Sequence, residues 1–507
     1  MSENELPIIK LIKEEGLQIK EPETNKKDFK KHLFTFFNAE TNFLIVAKKF
    51  IKKYPFFYDK NKIWWIWNKE RCCYEIVDEI DICNAVDSLT ALPNTNPTIK
   101  NELIEALRRV GRLNIPKEPK KTWVQFKDTI VDAKTGETFK AVPEYFICNP
   151  IPWSVGETED TPTMDKFFRD WVIKEGVQDE SYVKTLYEIL AYAGLQHQFM
   201  QRLFALTGSG SNGKGTFFKL IEKFYGEENI CSTELKLLSS NIFESSALYK
   251  KLICEVGEVD SYDLKNTNLL KKLTGEDLMR YGFKGKTSFT AKSGTTIFVA
   301  TNALPITPDK SMGYYRRWLI VDFPYIFEVG RDIISEIPEI EFNNLAKKCV
   351  RILKELYEKK QFTNEGNTEQ RTIRYEERSN PIMKFVENEC TEDPEEYIIL
   401  QEFYKRFNDY LKEKRLRLMT TRMISYALRN EGFIVKGKHI ILNKKEVFTT
   451  CVWGLKIQKI LKDTHFTNSS LYRERLENSV SSDIFDISKP KEYTEEFINE
   501  GEEDEQV

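Results

Sequence analysis

Between Leu203 and Gly226 the chain reads LFALTGSGSNGKGTFFKLIEKFYG, and few stretches limit a fold so tightly. The mostly apolar run Leu203 to Thr207 predicts a buried strand. Gly208 and the pair Gly213-Lys214 then stand in the G-x-x-x-x-G-K arrangement of a phosphate-binding loop. Phe217, Leu220, Ile221 and Phe224 follow at i, i+3, i+4 and i+7, one face of a helix. Strand, glycine-rich turn and helix together require an α/β fold. The glycines let successive backbone N–H groups converge on an anion without a Cβ in the way. The helix start adds its positive dipole end, and Lys214 adds a mobile charge for the outer phosphates. Gly208, Ser209, Gly210, Ser211, Asn212, Gly213, Lys214, Gly215 and Thr216 are therefore the expected phosphate cradle. The pattern departs from the commonest form in one place. Gly215 follows the lysine, so the hydroxyl that would hold Mg²⁺ is displaced to Thr216. Small-molecule nucleotide kinases can share this Gly-Lys-Gly-Thr order.

Two later segments suit the same chemistry. In KKLICEVGEVD, residues 250 to 260, Leu252 to Val256 predict a buried strand that ends in Glu258 and Asp260. Acids at the carboxyl end of such a strand can hold Mg²⁺ (Glu258 first) or orient an attacking water. Glu255 interrupts the strand and is expected on the opposite face, or paired with a basic neighbour. In TTIFVATNALPITPDKSMGYYRRWLIVDF, residues 295 to 323, a further strand ends in Asn302, whose neutral amide can bind a terminal phosphate or the catalytic water. Arg316 and Arg317 precede the next apolar strand and suit stabilisation of transition-state charge, often delivered from a neighbouring subunit. One of the two is expected to be purely structural.

With 507 residues the chain has room for several domains. No apolar run approaches the ~18 residues of a membrane span, and the opening MSENELPIIKLIKEEG is too charged for a secretory signal. Nine cysteines without a C-x-x-C pair, and four scattered histidines, argue against a zinc ribbon or a disulfide framework. These features point to a reducing, cytoplasmic setting with no membrane partner. The net charge of −3 hides an asymmetry: residues 492–507 hold eight acidic and no basic side chains, and the remainder is net basic. Such an end reads as a solvated tail.

The expected order is a flexible N-terminus at 1–30, an α+β domain at 31–120, a hairpin-plus-helical domain at 121–200, the nucleotide core at 201–330, a helical lid or connector at 331–380, a DNA-binding domain at 381–465 and the acidic tail at 466–507. In the first domain Trp64, Trp65 and Trp67 form a strand and read as a small aromatic core rather than a base-stacking surface. Residues 123 to 140 read as a hairpin around Lys134-Thr135-Gly136. Near the other end, YIILQEFYKRFNDYLKEK and TTRMISYALRNEG predict two helices, and FIVKGKHIILNKKEVFTTCVWGLKI predicts a strand pair. Arg422, Tyr426 and Arg429 share one helix face, and Lys436 and Lys438 lie on the strands. That order is the order of a winged helix-turn-helix, which fits DNA.

In sequence and spacing, GSGSNGKGTF, GEVDSYDLKNTNLLKKLTGED, ATNALP and GYYRRWLIVDFPYIF resemble superfamily 3 helicases. The nearer likeness is to the poxvirus- and phage-type primase-helicase branch carried by viruses and plasmids, and it is dense over roughly 120 to 330. The resemblance implies a hexameric AAA+ ring ATPase that hydrolyses ATP with Mg²⁺ and unwinds forked DNA during replication, translocating on single strands. Position by position it puts phosphates and Mg²⁺ at Lys214 and Thr216, the second acidic motif at Glu258 and Asp260, the sensor at Asn302 and a trans-acting finger at Arg316 or Arg317. It also implies a DNA-contacting hairpin within RYGFKGKTSFTAKSG, residues 280 to 294, where Phe283, Lys284 and Lys286 are the candidate contacts. Asp78 and Asp81 lack the clustered carboxylates and histidine of a primase, so a separate primase is an expected partner. Two rival readings are an ATP-regulated origin-binding initiator without processive unwinding and, further off, a small-molecule nucleotide kinase.

Overall fold

The computed structural model describes residues 43–458, apart from 91–96, 174–177, 209, 241–243, 258–263, 265–266, 284–287, 328–331, 415, 417 and 443–444. The first element, α1 (Phe43–Lys53), leads into an antiparallel sheet of β1 (Phe56–Tyr58), β2 (Trp64–Asn68) and β3 (Cys73–Val77), followed by α2 (Glu79–Thr90) and α3 (Pro97–Leu113). Strand alternation divides the tryptophans between two faces. Trp64 packs with Phe50, Phe56 and Leu107 under α1 and α3. Trp65 and Trp67 face the other way, onto Phe57, Tyr74 and Phe146. All three rings are buried, as expected of a core. A second antiparallel sheet, β4 (Trp123–Phe126), β5 (Thr129–Asp132) and β6 (Thr138–Lys140), holds the predicted hairpin, with Gly136 at φ +80° in its turn.

Helices α4 (Pro162–Val172) and α5 (Glu180–Ala193) precede the central sheet. That sheet takes β7 (Leu203–Thr207), then, after α6 (Lys214–Tyr225), β8 (Ile230–Thr233). Two short helices, α7 (Leu235–Ser240) and α8 (Glu244–Ala247), lead to β9 (Ile253–Val256) and α9 (Asn268–Gly275). A two-stranded hairpin, β10 (Leu278–Tyr281) and β11 (Phe289–Lys292), precedes β12 (Thr296–Thr301), α10 (Met312–Tyr315) and β13 (Trp318–Asp322). The five parallel strands lie in the order β13-β7-β12-β9-β8. The fold is mixed α/β. Both faces are covered, which is why the strands are almost wholly apolar. Phe204, Leu206, Phe298, Leu319 and Val321 pack on one side with α5, α6 and α11 (Glu339–Lys359). Leu203, Ala205, Val256, Ile297, Val299 and Ile320 pack on the other with Leu273, Tyr314 and Tyr375. The first of these cores runs from Val124 to Phe362, so α4, α5 and α11 belong to the same packed body as the sheet.

After α11 come α12 (Thr368–Ser379), started by an Asn367–Gln370 capping box, and α13 (Pro381–Glu389), which has proline in its first turn. Then follow β14 (Cys390–Ile399), α14 (Leu400–Glu413), α15 (Thr421–Asn430), β15 (Ile434–Leu442) and β16 (Lys445–Ile457), with sheet order β14-β16-β15. The predicted helix from Tyr397 begins only at Leu400. Tyr397 to Ile399 close β14 instead, with Ile398 buried and Tyr397 packed against Trp453 of β16. Cross-strand packing has overridden the helical period there. Among the described residues no helix is long and apolar enough to cross a membrane.

Candidate functional site

The turn between β7 and α6 is fixed by two glycines. Gly213 caps α6 at φ +94°, a region that penalises a side chain, and a Cβ there would come within 2.6 Å of the Trp171 ring. A Cβ on Gly208 would collide with the Asn212 amide and the Phe323 carbonyl. Asn212 laces the turn together: its Nδ2 donates to Phe323 O at 3.0 Å, and its Oδ1 accepts from Lys214 Nζ at 3.1 Å. Lys214 Nζ also donates to Gly208 O at 2.6 Å, and the side chain is buried across the turn. Ser211 O accepts from Phe327 N at 2.8 Å. Beyond the turn, the first N–H groups of α6 have no intrahelical acceptor and carry the positive end of its dipole. Thr216 is the third residue of α6 and half-buried, while Gly215 before it is exposed. At 3.6 residues per turn, the displacement by one position swings the hydroxyl by about 100° around the helix. Ser209 lies outside the described residues.

Parallel pairing brings further candidates to the same end of the sheet. Thr301 pairs with Thr207, and Gly208 N donates to Thr301 O at 3.4 Å, so exposed Asn302 stands beside the start of the turn. Val256 pairs with Val299, so the chain leaves β9 at that same end. Glu258 and Asp260 lie outside the described residues, as do Lys284 and Lys286. Glu255 points the opposite way from Cys254 and Val256, as one of its two predicted placements required. No base meets it. Its Oε1 is buried without a hydrogen-bond partner, and burial, reinforced by Glu222, pushes the carboxyl up to about 8.

Arg316 and Arg317 lie at the other end. Trp318 pairs with Leu203, and Arg317 O accepts from Leu203 N at 2.8 Å. Five residues of β7 separate that point from the turn, about 16 Å at ~3.3 Å per residue. The two arginines differ. Arg317 Nε donates to Thr274 Oγ1 at 2.7 Å, and its other nitrogens reach the carbonyls of Gly313 and Lys271. It ties α9 to α10. Arg316 is half-buried, with Gln201 Oε1 as its acceptor at 2.5 Å.

A cluster that sequence reasoning did not single out abuts the turn. Asp322, the last residue of β13, pairs with Thr207 in the sheet and accepts from its hydroxyl at 2.6 Å. The same carboxylate accepts from Arg378 at 2.9 and 2.7 Å and from Arg374 at 3.0 Å. Burial opposes its charge, yet Arg378 and Arg374 hold the carboxyl well below the usual range. The available signals were an acid closing an apolar strand and two arginines at i, i+4 on a capped helix. Helix α12 also reaches the Asn302 side: Leu304 N donates to Arg378 O at 3.1 Å, and the Tyr375 hydroxyl to Pro305 O at 2.8 Å.

The nucleic-acid candidates divide. Phe283 is half-buried, stacks on Phe289 at 5.9 Å and meets Tyr249 edge-on. It packs the connecting-loop end of the β10–β11 hairpin rather than standing free as a wedge. On α15, Ile424 and Leu428 are buried, while Arg422, Tyr426 and Arg429 are exposed on the far face. Arg429 also donates to Val435 O at 3.0 Å, joining the helix to β15. Lys436 and Lys438 share one face of the sheet, their ammonium groups 4.7 and 4.5 Å from the Trp453 ring centre.

A family model matches residues 206–317, from the end of β7 to Arg317; its description is a family of unknown function, DUF5906. None of the curated proteins matches the chain. Among solved structures, an A-form apo structure and a further apo structure of the NrS-1 C-terminal region are similar to it. Both are 14% identical over 82% of this chain and 100% of that one, with TM-scores of 0.42 and 0.45.

Proposed function

We propose that this chain is an ATP-dependent DNA motor, an AAA+ ATPase of the superfamily 3 helicase type that works as a ring. The observation that carries the reading is the division of labour along β7 and β13. The phosphate turn and Lys214 stand at one end, and Arg316 stands about 16 Å away at the other. An arginine so placed is out of reach of its own subunit's nucleotide and suited to a neighbour's.

In this reading the turn's backbone N–H groups and the start of α6 bind the phosphates of ATP, and Lys214 leaves its carbonyl partners for the outer phosphates. The oxygen donors suit Mg²⁺, with the Thr216 hydroxyl and Glu258 as its candidate holders. Bound there, Mg²⁺ would supply neutralisation of the negative charge on the terminal phosphates. Asp260 and Asn302 orient the water, and a neighbour's Arg316 stabilises the charge of the transferring group. Helix α12, bonded to Asp322 and to the Pro305 turn, gives a path from the nucleotide to the C-terminal elements. Their order of helix, strand, helix, helix and two strands supports a winged helix-turn-helix, with Arg422 and Arg429 toward DNA.

The test is ATP-dependent separation of a forked duplex by wild type, Lys214→Ala and Arg316→Ala. Strand separation by wild type alone supports the motor. Hydrolysis stimulated by DNA without separation favours the origin-binding initiator, for which the exposed α15 face speaks. Hydrolysis indifferent to DNA sinks both.

A further inference from the structure

A cavity of about 210 Å³ lies at the end of the parallel sheet opposite the phosphate turn. The segment leading into β4, the segment before β9 and the turn from β11 to β12 form its walls. Five lysines line it, Lys120, Lys121, Lys250, Lys251 and Lys292, against the acids Glu118 and Glu276. Two of the five are already engaged by acids. Lys121 Nζ is 2.6 Å from Glu276, which His197 also holds at 2.5 Å. Lys120 Nζ is 3.9 Å from Asp132. The other three have no carboxylate partner among the described residues: Lys250 Nζ lies 4.4 Å from the Phe146 ring centre, Lys251 Nζ donates to the Glu228 carbonyl at 2.5 Å, and Lys292 is exposed at the end of β11.

The backbone around the cavity is built to keep this arrangement. Lys250 adopts φ +58°, a costly conformation for a residue with a Cβ. Its carbonyl accepts from Asn149 Nδ2 at 2.8 Å, and the same amide reaches Asn229 Oδ1 at 2.9 Å, both asparagines being buried. On the other wall, a Cβ on Gly294 would collide with the Gln196 backbone, so Lys292 leaves β11 against a close-packed turn. Five lysines against Glu118, Glu276 and Asp132 leave the concavity with a surplus of positive charge, which favours an anion. Lysine meets phosphate as a point charge, and a phosphate contact carries no sequence information. Lys292, at the end of the β10–β11 hairpin away from its connecting loop, belongs to the lining, and the lysines are spread over three walls, so a chain of phosphates can meet more of them than a single small anion would.

We propose that this cavity binds the phosphodiester backbone of single-stranded DNA, without regard to sequence, at the opposite end of the sheet from the nucleotide. The choice of DNA rests on the motor reading; the anion site does not. The experiment is fluorescence anisotropy with labelled dT and mixed-sequence oligonucleotides across a salt series. It compares wild type with Lys250→Gln/Lys292→Gln, the matching Lys→Arg pair, and a Lys48→Gln/Lys354→Gln control. Removing two phosphate contacts should weaken both oligonucleotides alike and make the slope of log K on log salt shallower by about 1.4. The Arg pair and the control should stay at the wild-type slope. Lys292→Glu alone, at an exposed strand end, repeats the test without touching the Lys250 turn. Unchanged affinity and slope in the Gln pair and in Lys292→Glu overturns the proposal, as does a wild type that binds no oligonucleotide. A Gln pair that loses ATP affinity while keeping its DNA slope assigns the cavity to a nucleotide and also overturns it. Failure of unwinding or of ATP hydrolysis with the expected slope change sinks only the motor.

Discussion

Asp322 and Arg378 form a two-point ion pair, Nε to Oδ1 at 2.9 Å and Nη2 to Oδ2 at 2.7 Å, buried beside the first residues of the glycine-rich turn. Thr207 shares the carboxylate, and the next residue, Phe323, holds Asn212 through its carbonyl. A shift of α12 therefore cannot leave the turn unchanged. Removing one member of a buried pair strands the other, at a cost of about 3–5 kcal/mol. Asp322→Asn is expected to lose that much in urea denaturation. The depressed carboxyl stabilises the fold above the unfolded value near ~3.9 and loses that contribution as pH falls through its folded value. Acidification below about pH 4 should then narrow the gap between wild type and variant.

The turn's glycines should separate by conformation rather than by letter. Gly213→Ala forces a side chain into a left-handed cap and against Trp171, and should cost about 1–3 kcal/mol. Gly210 has open space around its Cβ position, so Gly210→Ala should leave the thermal midpoint near that of wild type. Equal losses in the two variants would remove the conformational argument.

What was legible in the sequence follows from period and punctuation. The strand at Leu203, the helix face of Phe217 to Phe224 and the burial of three tryptophans rest on local pattern, and the structure has them. Three features were not legible. Strand β14 was hidden because Tyr397 to Ile399 continue smoothly into an amphipathic helix, and only pairing with β16 decides where that helix starts. The Asp322–Arg374–Arg378 cluster joins residues over fifty positions apart, which no local window sees. Phe283 looks like a free aromatic in sequence, and only the fold supplies Phe289 and Tyr249 to cover it.

Glu255 gives a pH dependence of the opposite sign to Asp322. A carboxyl raised to about 8 stays protonated in the fold while the unfolded chain ionises near ~4.3. The folded state thus binds more protons between those values, and stability falls as pH rises through that window. Glu255→Leu removes a buried group whose Oε1 has no partner and should gain about 1–3 kcal/mol at pH 8.5, less at pH 5. Chemical denaturation at the two pH values checks it; a gain that is constant with pH would mean the carboxyl does not titrate as described.

Arg316 and Lys214 stand at opposite ends of one subunit's sheet, so a ring with trans-acting arginines makes a prediction that a monomeric ATPase cannot meet. Each site would draw Lys214 from one subunit and Arg316 from the next. Arg316→Ala and Lys214→Ala should each be inactive alone, the arginine loss costing about 10³–10⁵-fold in kcat if it acts as a finger. Mixed subunits, however, create some junctions with both residues intact, and ATP hydrolysis should partly return. Arg317→Ala should behave differently, lowering stability by releasing Thr274 and the Gly313 carbonyl. The measurement is ATPase rate against mixing ratio after subunit exchange. A mixture no more active than its components would rule out an Arg316 that acts on a neighbour's nucleotide.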